Sequence, residues 1–418
     1  MRRSTPYRVY RRANWLMTRI PGAGLLRVPP KTTEWAVKSW TRTQLGRDDS
    51  LPTAAPTLRL GTQVAMDEAI LGVMMRPSKF PSTADYERVG EELSEAARLY
   101  RSEGWTAQPD RYHRTPPPLT DPQITTRRWL LNHYEHLTWE SGFEPHPNEP
   151  ARERWIGYEA PRTAHAHVLR HRDDVDRPWL LCLHGFGMGY VAADFQAFRA
   201  KMLHRELGLN LVFPVMPLHG RRAVDGANDL LSFDLLNTVF GIGQAIWDTR
   251  RLLSWLRTQT DQPIGAYGIS LGGYTGSLLS TQAELDLMIA GIPAVDFPEL
   301  FRHHAPNRVE RAANKQGLLG SNATDAHQVI SPLALPTKVP ERRRFIYAGL
   351  GDRMVPPPQP RSLWHHWGGP ETCWFPGSHI GFMWNRRAHE FVRTKLIESG
   401  FVGDPDLVGD DATTPAAA

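Results

Sequence analysis

Short apolar runs alternate with longer amphipathic stretches between about residue 128 and residue 400. The run Trp179–Leu183 is apolar throughout and ends at turn glycines, which fits a strand buried on both faces. The same pattern predicts strands at 137–143, 164–170, 209–215, 263–267, 287–292, 344–349 and 372–375, and helices at 191–206, 237–258, 271–282 and 387–399. Strands that alternate with helices indicate βαβ units, so we expect an α/β fold whose mostly parallel sheet carries helices on both faces.

The regions outside this alternation divide the chain further. Residues 1–125 predict a largely helical N-terminal extension, with helices at 62–75 and 84–102. The main domain spans 126–402, and its segment 293–342 is too long for a simple connection, so we expect a small cap of helices there. Residues 403–418 are rich in Asp, Ala, Pro and Thr and predict a disordered tail. In the first helix, an apolar face is expected from Ala65, Ile70, Leu71, Val73 and Met74.

Charge is concentrated at the start of the chain. The 418 residues carry a formal net charge of +5, but residues 1–47 hold eleven Lys/Arg against one acid, so the remainder is net negative. Aromatic residues accompany the cations, a combination that suits an anionic lipid surface; the alternative is an arm that packs on the main domain. No nucleic-acid fold signature accompanies the charge, so no nucleic acid is expected. Neither a signal peptide nor an apolar window of about 18 residues is evident, which predicts a cytoplasmic protein with peripheral membrane contact as an option.

The segment Gly268–Gly273 matches the pattern G-x-S-x-G between a predicted strand and a predicted helix. A serine in such a corner has a strained backbone that holds its hydroxyl clear of the sheet. Gly268 and Gly272 would let neighbouring backbone approach closely. Ser270 is therefore the candidate nucleophile.

A serine nucleophile needs a base to take its proton and an acid to orient that base. Asp352 follows the predicted strand 344–349, and His379 follows the predicted strand 372–375. Side chains at the carboxyl ends of parallel strands point into the crevice where such sheets bind ligands. Asp352 and His379 are thus the candidate acid and base, with Asp296 as an alternative acid.

When a serine attacks an acyl carbon, negative charge develops on the carbonyl oxygen, and this charge needs hydrogen-bond donors to stabilise it. The loop His184–Gly187 follows the first buried strand, and we expect the N–H groups of Phe186 and Leu271 to form the oxyanion hole. Candidate substrate-binding residues near the same edge are Met188, His219 and Arg221. His219, Arg221 and Arg222 are candidate partners for a carboxylate or an anionic headgroup; the alternative is that these three are surface loop residues.

Histidines and cysteines give no metal or disulfide signal. His165 and His167 share one face of a predicted strand, but no third ligand lies at a suitable spacing, so a solvated strand face is expected. Cys182 and Cys373 lie in apolar runs and are expected in the core. No metal or organic cofactor is expected.

Four motifs occur in one order: HGFG at 184–187, GISLGG at 268–273, GLGDRMVPP at 349–357 and GSH at 377–379. In this the chain resembles the α/β-hydrolase superfamily of serine esterases, lipases and acyl-peptide hydrolases, and more closely a poorly characterised actinobacterial branch with a long N-terminal extension. The resemblance implies an α/β-hydrolase fold with the triad Ser270, Asp352 and His379, and cleavage of small-molecule or lipid-derived carboxylic esters through an acyl-enzyme. A peptidase, a thioesterase or a catalytically silent binding protein on the same scaffold remain alternatives.

Overall fold

The computed structural model describes residues 23–45, 51–74, 81–130, 132–173, 175–224 and 230–403. Most of the basic arm and nearly all of the predicted disordered tail therefore lie outside the described residues. Within the described ranges, nine strands form one sheet. They are β1 (Gln123–Trp129), β2 (Asn132–Glu140), β3 (Thr163–Leu169), β4 (Trp179–Leu183), β5 (Asn210–Val215), β6 (Ile264–Ile269), β7 (Met288–Gly291), β8 (Arg344–Gly349) and β9 (Thr372–Phe375).

The helices fall before, between and after these strands. They are α1 (Val28–Leu45), α2 (Leu58–Met74), α3 (Thr83–Ser102), α4 (Arg152–Ile156), α5 (Val191–Ala197), α6 (Leu235–Leu256), α7 (Leu271–Gln282), α8 (Phe297–His304), α9 (Asn307–Lys315), α10 (Ser321–Gln328), α11 (Pro358–His366) and α12 (Arg386–Glu398). None of the helices within the described ranges is both long and apolar enough to cross a membrane.

The sheet has an antiparallel end and a parallel body. Its strand order is β1-β2-β3-β5-β4-β6-β7-β8-β9, and β1, β2, β3 and β5 pair antiparallel in succession. From β5 to β9 every neighbouring pair is parallel. The carboxyl ends of β4 and β6 to β9 therefore lie along one edge, where their loops can meet. This arrangement confirms the predicted α/β-hydrolase fold.

Two apolar layers enclose the parallel strands. Alternate residues of β4 point to opposite layers, with Leu181 in one and Leu180 in the other. Helices α6 and α7 cover the first face, and α5 and α12 cover the second. Burial on both faces explains why these strands are continuous apolar runs in the sequence.

Most predicted strands and helices are confirmed to within a few residues, but one predicted helix differs and several observed elements were not predicted. The predicted helix 191–206 is interrupted, because Arg199 adopts a positive φ of 49° between α5 and a π-helical turn at Lys201–Glu206. Strand β1 and helices α1, α4 and α11 were not predicted. Strand β1 and helix α1 are polar in sequence, and all of β1 except Trp129 is exposed, so neither has the apolar period on which the prediction relied. Helices α4 and α11 are short, with five and nine residues.

The extension packs on the main domain rather than standing apart from it. Trp35 of α1 packs against Leu60 and Val64 of α2. Helix α3 packs against α10, which lies with α8 and α9 in the segment 293–342 where a cap is predicted. These contacts make the extension and the cap segment neighbours.

The predicted apolar face of α2 is wrong, with Leu71 its one buried member. Val73 and Met74 are 44% and 39% exposed. The buried face runs instead through Leu60, Val64, Asp67, Glu68, Leu71 and Gly72. The helical period is present, but Asp67 and Glu68 occupy two of the buried positions. A search for apolar residues at helical spacing does not detect carboxylates at such positions.

Candidate active site

Ser270 lies in a sharp turn between β6 and α7. Its φ of 58° and ψ of −113° are an unusual combination for a residue with a side chain, and such strain costs on the order of 1–3 kcal/mol. The flanking glycines make this turn possible. A Cβ on Gly268 would lie 2.0 Å from the Gly272 carbonyl oxygen, and a Cβ on Gly272 would lie 1.7 Å from the Leu183 carbonyl oxygen. Any larger residue at either position would push the chain apart.

The structure brings Ser270, His379 and Asp352 into one hydrogen-bonded line. The Ser270 hydroxyl lies 3.0 Å from His379 Nε2, and His379 Nδ1 lies 2.7 Å from Asp352 Oδ2. Since an ionised carboxylate only accepts, Nδ1–H donates to Asp352 and leaves Nε2 free to accept from the serine. Met354 and Val355 donate their backbone N–H groups to Asp352 Oδ1 at 2.9 and 2.7 Å, which fixes the carboxylate.

For both His379 and Asp352, burial and the charge of the partner shift the pKa in opposite directions. His379 and Asp352 are only 6% and 3% exposed. Burial alone would lower the pKa of His379, but the charge and hydrogen bond of Asp352, with a further contribution from the charge of Asp67, raise it above its ordinary value. Burial raises the pKa of Asp352, while the charge and hydrogen bond of His379 oppose that rise. The ring is therefore a stronger base than a free histidine.

The alternative acid, Asp296, has a different role. It is the N-cap of α8, and its Oδ1 accepts the backbone N–H of Glu299 at 2.9 Å. A capping carboxylate at this position satisfies a helix N–H that has no partner within the helix. The acid that contacts His379 is Asp352.

The loop after β4 runs against the serine turn. A Cβ on Gly185 would lie 3.6 Å from the Ser270 Cβ, so the backbone that leads into Phe186 passes beside the nucleophile. Leu271 begins α7 directly after Ser270, and a helix N-terminus carries a partial positive charge. These are the neighbourhoods in which the sequence places the two oxyanion donors.

The ring of His184 holds this loop in place through two hydrogen bonds. Its Nε2 accepts the Met216 N–H at 3.0 Å, and its Nδ1 therefore donates to the Gly185 carbonyl at 2.8 Å. The ring is fully buried, and burial lowers its pKa to about 3, so it stays neutral and keeps this tautomer. The motif HGFG pointed to the loop, but not to the role of its histidine.

A buried carboxylate fixes the other end of the same loop. Asp194 Oδ1 accepts the Gly189 N–H at 3.1 Å. Burial raises the pKa of Asp194 to about 7. Sequence reasoning missed Asp194 because it reads as an ordinary polar residue of a helix.

The three candidate substrate-binding residues differ in how far they are exposed to solvent. Met188 is half-buried in the loop after β4, and its sulfur lies near Gly185. His219 is buried, with its ring centroid 5.5 Å from that of Phe186. Arg221 is exposed and lies near the histidines of β2 and β3, where its positive charge is one of the influences that lower the pKa of His136 after burial.

The suggestion that Arg222 meets a headgroup or carboxylate of a substrate is wrong. Arg222 is 1% exposed and forms a buried ion pair with Asp248 at 2.8 Å. It also donates to the carbonyls of Val215 and Pro161. The guanidinium thus ties the end of β5 to helix α6 instead of facing solvent.

The solvated strand face predicted for His165 and His167 is also wrong. His167 is 4% exposed, and the ring of His136 from β2 stacks on His165 with 3.0 Å between Nε2 and Nδ1. Burial lowers the pKa of His167 to about 3. No cluster suited to a metal ion occurs among the residues that the structure describes. Cys182 is buried as expected, whereas Cys373 is only partly buried.

A second carboxylate reaches the His379 loop from the N-terminal extension. Asp67 of α2 is fully buried. Its Oδ2 accepts the N–H groups of His379 at 2.8 Å and Arg353 at 3.0 Å, and its Oδ1 accepts the Ser378 hydroxyl at 2.8 Å and the Ile380 N–H at 3.0 Å. No motif marked Asp67; the one available signal is its place on the helical stripe of Leu60, Val64 and Leu71.

No protein-family model matches the chain. Two relatives from Mycobacterium tuberculosis do: the uncharacterized protein MT2702 of strain CDC 1551 / Oshkosh and the uncharacterized protein Rv2627c of strain H37Rv. Each is 39% identical over 378 residues, which covers 89% of this chain and 90% of the relative.

Solved structures with a similar fold include three with named activities. Acetyl xylan esterase 1 from Thermoanaerobacterium sp. JW/SL YS485 has a TM-score of 0.47 and 14% identity, covering 70% of this chain and 98% of its own. The lipase/esterase from Lactobacillus plantarum has a TM-score of 0.41 and 15% identity, covering 68% and 100%. Acylaminoacyl peptidase from Pyrococcus horikoshii has a TM-score of 0.39 and 16% identity, covering 67% and 41%.

Similarities at this distance carry no argument about activity, so the fold assignment rests on the strand order. The two mycobacterial relatives are similar along nearly the whole chain, including most of the extension. This chain therefore belongs to the same family as these two uncharacterized mycobacterial proteins, and it has the α/β-hydrolase fold.

Proposed function

We propose that the protein is a serine hydrolase that cleaves carboxylic esters through an acyl-enzyme. The observation that carries the proposal is the line from Ser270 through His379 to Asp352, with contacts of 3.0 and 2.7 Å. The strained backbone of Ser270 supports it, because strain is kept where a side chain must be presented in one direction.

The first half of the reaction forms the acyl-enzyme. Ser270 Oγ attacks the acyl carbon of the ester while its proton passes to His379 Nε2. The carbonyl oxygen gains negative charge, which the N–H groups of Phe186 and Leu271 would stabilise; losing one such donor typically costs about 2.7–4 kcal/mol of barrier. Asp352 stabilises the imidazolium, and His379 then returns the proton to the departing alkoxide oxygen.

The second half releases the acid. Water gives a proton to His379 Nε2 and attacks the acyl carbon, and the bond to Ser270 Oγ breaks as the proton returns to that oxygen. Every proton in this cycle moves between water, the ester, Ser270 and His379. The side chains described here and water are sufficient for the chemistry.

Lipid-derived esters are the substrate class that the outer surface of the extension favours. Val37 and Trp40 lie three residues apart on α1 and are 59% and 58% exposed, and Lys38 and Arg42 lie beside them. Exposed apolar and aromatic side chains among cations suit the interface of an anionic membrane. Peripheral contact through residues 1–47 would bring the enzyme to such substrates.

The test is the hydrolysis of p-nitrophenyl acetate, butyrate and decanoate by the purified full chain. Turnover should fall on the order of 10⁶-fold in Ser270→Ala, as expected when a triad nucleophile is removed. Ser280→Ala is the matched control, since Ser280 is buried in α7, the helix that follows Ser270, and donates to the Ser277 carbonyl. Equal turnover by wild type and Ser270→Ala would disprove the proposal.

The same assay separates the alternatives. Long-chain esters turned over faster than acetate would support lipid-derived substrates. Preferred cleavage of acyl-CoA or of peptide p-nitroanilides would indicate a thioesterase or a peptidase on the same scaffold. No turnover of any of these compounds, together with an unreactive Ser270, would indicate a silent binding protein.

A further inference from the structure

We infer that Asp67 of the N-terminal extension is a positioning residue of the active site, and that it holds the two loops that carry Asp352 and His379 in register with each other. The inference deepens the proposed function and rests on it. It assigns to the extension a role inside the hydrolytic site.

The hydrogen bonds of Asp67 divide between the two loops. Arg353, the neighbour of Asp352, donates its backbone N–H to Oδ2, and so does His379. The Oδ1 atom accepts from Ser378 and Ile380, the neighbours of His379 in sequence. One carboxylate thus joins the loop after β8 to the loop after β9 by four bonds, and a bond to an ionised acceptor is roughly twice as strong as a neutral one.

Other side chains of α2 also pack closely against the backbone of these two loops. A Cβ on Gly351 would lie 2.8 Å from Leu60 Cδ1, and a Cβ on Gly381 would lie 2.3 Å from Gln63 Oε1. Gln63 Oε1 also accepts the Ser378 N–H at 3.3 Å. The contact between helix and loops is therefore close at several points, and the carboxylate lies at its centre.

The next residue extends the same network. Glu68 is 1% exposed, accepts from Arg353 Nε at 2.9 Å and pairs with Arg27 at 3.2 Å. Two successive carboxylates therefore hold Arg353, one through its backbone and one through its side chain. This fixes the residue that directly follows Asp352.

The charge of Asp67 also acts on the base. Its negative charge is one of the causes that raise the pKa of His379, after those of Asp352. Removing it should lower that pKa. The titratable and charged groups on the elements packed around this network are Asp352, Glu68, Arg27, Lys31, Arg353, His303 and His304, and the substitution of Asp67 removes none of these side chains.

Asp67→Asn is the sharpest variant. It keeps the size of the side chain but replaces one oxygen by an NH₂ group, which would face at least one backbone N–H in either orientation. Two donors cannot pair, so the loops should shift. Glu149→Gln is the matched control: Glu149 is also buried, and it accepts from Tyr100, Tyr112 and the His146 N–H, away from the catalytic loops.

The experiment measures the rate of Ser270 modification by a fluorophosphonate probe across pH, using the full chain. In wild type, the rate should fall on acidification with a midpoint above 6.5, the ordinary pKa of histidine, because protonated His379 cannot accept the serine proton. In Asp67→Asn, the plateau rate should fall on the order of 10²-fold, as small misplacements of catalytic groups can cost, and the midpoint should move to lower pH. Glu149→Gln should keep the wild-type midpoint.

The outcomes separate this inference from the proposed function. If wild-type Ser270 is not modified, the proposed function fails. If it is modified and Asp67→Asn keeps the wild-type rate, or loses rate without a change in midpoint, the inference is overturned. Should Asp67→Asn not fold, Ser378→Ala removes one bond and leaves the charge. A lower rate with an unmoved midpoint would then support the inference, and a wild-type rate would overturn it.

Discussion

His379 is held from two sides by carboxylates that belong to different regions of the molecule. Asp352 comes from the loop after β8, at the edge of the sheet, and contacts the ring. Asp67 comes from helix α2, more than 300 residues away in sequence, and contacts the backbone of the same histidine. The sheet edge supplies groups that face the reacting atoms, whereas the extension supplies groups that hold the loops.

This difference shows that an active site can contain all of its reacting groups and still depend on a part of the chain that carries no recognisable sequence motif. The fold alone explains why Ser270, Asp352 and His379 meet, because each follows a parallel strand. It does not explain what holds the last two loops against each other. In this chain the Gly351 N–H donates to the Gly377 carbonyl across the two loops, and a helix outside the sheet adds the hydrogen bonds of Asp67 to both of them.

The largest effect should follow from changing the carboxylate at the ring. In Asp352→Asn, the amide NH₂ would face His379 Nδ1 and force the ring proton onto Nε2, so the ring could no longer accept from Ser270. We expect ester turnover to fall about 10⁴-fold, measured with p-nitrophenyl butyrate. Asp296→Asn is the control and should stay near wild type. An equal loss in both variants, or none in Asp352→Asn, would contradict the assignment of the acid.

A smaller effect should follow from releasing the loop after β4. His184→Ala removes the ring that joins the Gly185 carbonyl to the Met216 N–H. Misplaced oxyanion donors should reduce turnover on the order of 10²-fold. Since the contacts of His379 are unchanged, the pH midpoint should stay at its wild-type value, in contrast to Asp67→Asn. A shifted midpoint in His184→Ala would show that the two regions are not independent.

The smallest catalytic effect should come from the outer face of the extension. Trp40→Ala removes an exposed ring from α1, on a helix whose Trp35 packs against α2. Its rate of Ser270 modification should equal that of wild type, while binding to anionic phospholipid vesicles in a sedimentation assay should weaken about tenfold, the order expected for withdrawing part of a large apolar side chain. His171→Ala, a change at a partly buried residue of the main domain, is the control for binding. Unchanged vesicle binding in Trp40→Ala would remove the support for membrane contact.

Much of the fold was predictable because the parallel strands are buried on both faces and so form continuous apolar runs. The positions of Ser270, Asp352 and His379 were predictable for a related reason. Each lies at or shortly after the end of a parallel strand, directly after β6 for Ser270 and within four residues of β8 and β9 for Asp352 and His379. The glycines around Ser270 indicate the close approach of backbone to the turn.

The remainder was not predictable because its signals are polar or distant in sequence. Asp67 and Glu68 occupy core positions of a helical stripe, and their partners, mostly backbone groups for Asp67 and arginine side chains for Glu68, are distant in sequence, so no sequence pattern identifies them. Arg222 reads as a surface cation until Asp248 is brought beside it by the fold. His165 and His167 read as solvated until the fold brings His136 of the adjacent strand against them.

The central claim is that Ser270 is a nucleophile activated by His379 and Asp352. Its most direct test is to react the full chain with a fluorophosphonate probe and to determine the modified residue by mass spectrometry of the digested protein. The account predicts one adduct per chain, on Ser270, and none in Ser270→Ala. A folded protein that gives no adduct, or an adduct that persists in Ser270→Ala, would contradict it.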